Sequence, residues 1–298
     1  MKKLSEEAVG KAEEFILRTA RILERRRFEF LFRGGAAEPV LTALAAYRNP
    51  DGGYGNALEP DGRGPGSQPV TVLSALHVLH EVGAAPDGVA DYLASISTVD
   101  GGVPFVHPNA ADYPRAPWWT IPETYEASLL PTANLVGALW QAGVTHPWID
   151  QAAEFCWPRI ESLTNTHPYE ALACVGFLDA APDRARAEAA ATKVGELVRT
   201  AGLVRIGDAG ATPEGYNAAE LHTPHEYAAT PDSLARHWFT DEELGTSLDA
   251  LVDAQGEDGG WRVRWTIWTP ATEFEWAGWM TVQALTTLRA YGRLEQVL

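Results

Sequence analysis

The sequence predicts an all-α repeat protein, a set of helix hairpins closed into a ring, and three observations carry that prediction. The tripeptide Asp-Gly-Gly recurs at Asp51-Gly52-Gly53, Asp100-Gly101-Gly102 and Asp258-Gly259-Gly260. Apolar residues fall at helical spacing along most of the chain, while stretches that read as strand, such as Leu203–Ile206, are short and isolated. The segments between expected helices are long, aromatic and acidic, and in a compact domain such loops are usually functional.

Taken in order, residues 4–28 place Leu4, Ala8, Ala12, Phe15, Ile16, Ile22 and Leu23 on a helical stripe. Ser5 is the expected N-cap, and the basic run Arg25–Arg27 is expected in the last turns, where the helix dipole favours it. Further helices are expected at about 37–47, 70–82, 87–97 and 132–142, then at about 147–162, 168–179, 183–200, 241–254 and 275–291. Pro147, Pro168 and Pro182 stand near helix starts, where a missing amide hydrogen costs nothing.

The first two DGG sites are about 49 residues apart and the third lies about 158 further on, close to three more periods. Degenerate copies are therefore expected near 150 and 203, the latter at Ala201-Gly202-Leu203. A period near 50 marks a unit of one helix pair that cannot bury its apolar face alone, and six pairs account for 298 residues as a single domain, 1–298. In a ring, the loops at 51–69, 100–130, 202–230 and 258–274 gather at one end.

Composition narrows the partners. A formal charge of −17 disfavours any partner whose affinity comes from neutralised phosphates, so neither nucleic acid nor an anionic membrane surface is expected. Two cysteines, Cys156 and Cys174, are too few for a disulfide framework or a thiolate zinc site and suit a reducing cytosol. MKKLSEEAVGKAEEF has no apolar run behind its lysines, and no stretch approaches the roughly 18 apolar residues of a membrane span. The expectation is a cytoplasmic protein.

At Gln255-Gly256-Glu257-Asp258-Gly259-Gly260-Trp261 the chain resembles the Q-x-x-D-G-x-W repeat of squalene and oxidosqualene cyclases, relatives of the protein prenyltransferase β subunits. The copy at 51 has Arg48 for the Gln and Tyr54 for the Trp; the copy at 100 has Ser97 and Val103. The resemblance implies an (α/α)6 toroid of inner and outer helices with long loops at one end. It is closer still to the small bacterial prenyltransferase-like and squalene-cyclase-like proteins. The acid, metal–diphosphate and zinc motifs of the catalytic relatives have no match here, so no catalytic residue carries over and neither cofactor nor metal is expected.

Three stretches could hold chemistry. In Glu59-Pro60-Asp61-Gly62-Arg63, a stiff pair of carboxylates sits beside an arginine able to hold one ionised while a desolvated partner stays protonated, the arrangement a Brønsted acid needs. Asp61 is the better acid because Gly62 allows close approach; the structural alternative is a loop cap and a salt bridge. In the second stretch Trp118 and Trp119, flanked by prolines, form an aromatic wall for a cation or a sugar, followed by Glu123 and Glu126, which share a face only if helical. In the third, Trp265 and Trp268 lead into a helix on which Trp276, Trp279 and Gln283 have i, i+3, i+7 spacing.

Lesser candidates are the pairs His77/His80 and His222/His225, each short of a third metal ligand. Glu226, Asp232 and Arg236 form a polar patch in which Asp232 has the alternative of capping the helix after Pro231. The expected function is a small apolar, isoprenoid-like ligand in an aromatic cavity, with acid-initiated cyclisation or isomerisation as its chemistry. The alternatives are a non-catalytic binding module and a carbohydrate-active barrel using two carboxylates. Oligomeric state is left open.

Overall fold

The computed structural model describes residues 1–207 and 220–295. Among them the chain is all-helical, with twelve α-helices, no β-strand and only isolated β-bridges. No helix there is long and apolar enough to cross a membrane. Contacts divide the chain into two compact units, Leu41–Val194, and Met1–Val40 together with Gly195–Leu298.

The contiguous unit holds α4 (Pro69–Glu81), α5 (Val89–Ser95), α6 (Leu129–Gln141), α7 (Pro147–Glu161) and α8 (Pro168–Ala180). Prolines open α4, α7 and α8 at the position that needs no amide hydrogen. Helix α6 is its centre, packed against α4, α7 and α8. It can lie close to α8 because Gly137 meets Gly176 there; a Cβ at Gly137 would stand 2.4 Å from the Gly176 carbonyl oxygen. Cys156 and Cys174 are buried free thiols in this core, and burial pushes both thiols up.

In the other unit, α1 (Glu6–Thr19) and α2 (Ile22–Arg33) pack on α12 (Pro270–Ala290), with α10 (Pro224–Tyr227) and α11 (Asp241–Asp253) alongside. Its core joins Phe15, Ile16, Phe28, Trp261, Val282 and Leu285. Leu4 and Leu294 form a parallel bridge, in which Leu4 N donates to Arg293 O at 2.8 Å and Glu295 N to Leu4 O at 2.9 Å. Helices α3 (Ala37–Ala45) and α9 (Arg184–Thr200) carry the chain across the two boundaries between the units.

The single helix expected over 4–28 is two helices. Ala20 and Arg21 are extended, and Arg21 turns back to hold Glu24 with Nε at 3.0 Å and Nη2 at 2.7 Å. Arg25–Arg27 therefore lie inside α2 rather than in its last turns. Arg27 is buried, with its guanidinium over the Trp279 ring at 4.1 Å. Ser5 caps α1 as expected, accepting from Ala8 N at 3.1 Å.

The three DGG sites form the same turn. With the first residue at Asn49, Thr98 or Gly256, its amide donates to the carbonyl four residues on at 2.8–2.9 Å, and the residue three on donates back at 2.9–3.1 Å. The first glycine of each pair is left-handed, with φ of 87°, 90° and 96° at Gly52, Gly101 and Gly259. Each of these glycines abuts main chain, of Gly88, Gln151 and Lys11 respectively. Four residues beyond each contact stands an aromatic, Tyr92, Phe155 or Phe15, pressed against the second glycine. In two copies an arginine lies over that ring and pairs with the turn aspartate: Arg159 with Asp100, and Arg262 with Asp258.

The copy expected at 203 is a different structure. Gly202 is left-handed, but Leu203 N bonds back to Val198 O, which is a helix C-terminal turn like those at Gly83, Gly143 and Gly292. The expected copy near 150 falls inside α7. Of the loop expected over 202–230, residues 208–219 lie outside the described residues.

Candidate functional site

Residues 46–68 form a loop held by its own side chains. Asp51 Oδ1 accepts from Gly53 N at 2.9 Å and from Ser67 Oγ at 2.8 Å, while Asn49 Nδ2 reaches Pro65 O at 2.8 Å. Two consecutive non-glycine residues, Asn56 and Ala57, have left-handed φ of 55° and 60°, a conformation stored where surrounding structure enforces it. Gly55, just before them, has no room for a side chain: a Cβ there would stand 2.2 Å from Pro65 O.

This strained segment delivers Glu59–Arg63 to the second loop of the same unit. Arg63 N donates to Pro114 O at 3.0 Å, Ala116 N donates to Asp61 O at 2.8 Å, and Gly62 bridges Arg115. Asp61 is buried, its Oδ2 accepting from the Trp118 indole at 3.0 Å and its amide capped by Glu59 Oε2 at 3.0 Å. Trp119 is buried against Gly62, where a Cβ would come within 2.2 Å of its ring. Asp61, Glu59, Trp118 and Trp119 are thus brought together, and Arg63 stands beside them.

Next to them is a small, polar cleft lined by Gly62, Arg63, Gln68, Thr71, Asn109, Arg115 and Trp119, among others. Gln68 and Asn109 tie its two walls, since Gln68 Oε1 accepts from His107 N at 2.8 Å and its amide nitrogen donates to Asn109 Oδ1. Arg115 donates to the carbonyls of Trp119, Ala110, Ala111 and Tyr113 at 3.0–3.2 Å. Sequence reasoning missed Gln68, Thr71, Asn109 and Arg115. The prolines and glycines around them mark a loop, but which amides meet across it depends on a contact some 40 residues away in sequence.

Glu123 and Glu126 are exposed in a stretch that is not helical, so they share no helix face; Glu126 accepts from the Thr124 hydroxyl at 2.6 Å.

The third aromatic stretch lies in the other unit. Trp265 and Trp276 are half-buried and meet edge to face at 5.1 Å, and Trp268 is half-buried beside them in sequence. Trp279 is buried under Arg27 while Gln283 is exposed, so the expected stripe splits between two environments. Asp232 is exposed and does not cap the following helix; Ser233 does, accepting from Ala235 N at 3.3 Å. Arg236 pairs with Asp241 rather than with Glu226.

Glu226, half-buried, is instead the centre of a polar cluster whose buried members are Thr223, His225 and Ser247. Its carboxylate takes Arg264 Nη2 at 2.6 and 2.7 Å and closes a capping box with Thr223, while His225 Nδ1 meets Ser247 Oγ at 2.6 Å. Burial pushes the carboxyl up, but Arg264, then His222 and His225, then the Thr223 hydroxyl outweigh it and hold Glu226 down to about 2. Burial drives the His225 imidazole down to about 4. His77 and His80 are exposed on α4, and the described residues contain no group of three His, Cys, Asp or Glu side chains placed to hold a metal.

Scanned against known protein families, the chain matches none of their models. No curated protein matches it either.

Proposed function

We propose that the chain is an (α/α)6 toroid of the terpenoid-cyclase and prenyltransferase type that binds a small molecule beside Asp61. Support for the toroid comes from the repeated turn. Each copy rests on a neighbouring helix or its cap through the same glycine and aromatic, and the third copy rests on α1, the contact a closing ring requires.

The observation that carries the site is the Asp61 carboxylate, withdrawn from water, held by the Trp118 indole and followed by a glycine that admits Trp119. An acid so placed protonates an alkene or epoxide of an isoprenoid, and the indole faces stabilise the resulting cation. Purified protein should then convert a polyprenyl substrate, and Asp61→Asn should abolish turnover while leaving the melting temperature nearly unchanged. Full activity in that variant defeats the assignment.

A second reading, a binding module without catalysis, is favoured by the use of a Glu59 oxygen to cap the Asp61 amide, a structural role for that carboxylate. Saturable binding without turnover would select it.

A further inference from the structure

We draw no further inference here: the strongest candidate, the side-chain cluster in which the His225 imidazole of α10 meets the Ser247 hydroxyl of α11 at 2.6 Å beside Glu226, carries none because both partners are buried and nothing among the described residues shows how a ligand would reach them.

Discussion

The Trp261 amide donates to the Thr281 hydroxyl at 3.0 Å, and the same hydroxyl donates to Ala277 O at 2.7 Å. Val103 and Thr132 repeat the pair at 3.0 Å, with Ser128 O in place of Ala277 O. A helix threonine thus receives the residue that follows each of these glycine pairs. Thr281→Val keeps the shape and orphans a buried amide, so a loss of about 1–3 kcal/mol is expected in urea unfolding.

The left-handed glycines should separate into two classes. At Gly259 a Cβ would stand 2.2 Å from Lys11 O, whereas at Gly83, also left-handed, nothing lies within 4 Å. Gly83→Ala carries only the conformational cost, about 1 kcal/mol. Gly259→Ala must also push α1 away and should cost roughly 3 kcal/mol or more. Equal losses in thermal melts of the two variants would contradict the packing described.

Tyr92 is the odd member of its set. Phe155 and Phe15 occupy the equivalent places, and the Tyr92 hydroxyl is buried without a hydrogen-bond partner. Burial pushes its phenol far up. Tyr92→Phe should therefore stabilise the contiguous unit by about 1 kcal/mol, visible as a raised denaturation midpoint with an unchanged slope.

Acid should weaken the unit that holds Glu226. His225 lies at about 4 in the folded chain against an ordinary value of 6.5, so the unfolded chain binds the extra proton and stability falls as pH drops from about 6.5 to about 4. Glu226, at about 2 against 4.5, adds stability that is present above 4.5 and lost as pH falls toward 2. The His225 contribution is about 3 kcal/mol at most. Denaturant midpoints at pH 7, 5 and 4 should decline in the native chain, and His225→Asn should flatten the upper part of that decline.

The helices were legible because their apolar spacing and proline starts are local. Nine expected helices agree with observed ones to within a few residues, the last beginning at Pro270 rather than 275. The break at Ala20 was not legible, because Arg21 ends one helix and opens the next through an ion pair with Glu24 that leaves no break in the apolar stripe. The DGG sites announced a repeated turn, but not its partners. Tyr92, Phe155 and Phe15 are unremarkable in sequence, and only the contact with the second glycine makes them one set. Likewise Glu59–Arg63 and Trp118–Trp119 were each noticeable, while the bond between Asp61 and Trp118 spans a loop contact that spacing does not encode.

The seating of Gly259 on Lys11 has a consequence for synthesis on the ribosome. Helix α1 is made before Leu41–Val194, yet the turn that packs on it appears only after all of that stretch has been made. The contiguous unit can mature while α1 and α2 wait with Phe15, Ile16 and Phe28 uncovered. In refolding followed by pulsed hydrogen exchange, amides of α6 and α8 should be protected before those of α1. Until that late partner arrives, α1 and α2 expose the apolar face that a chaperone would cover.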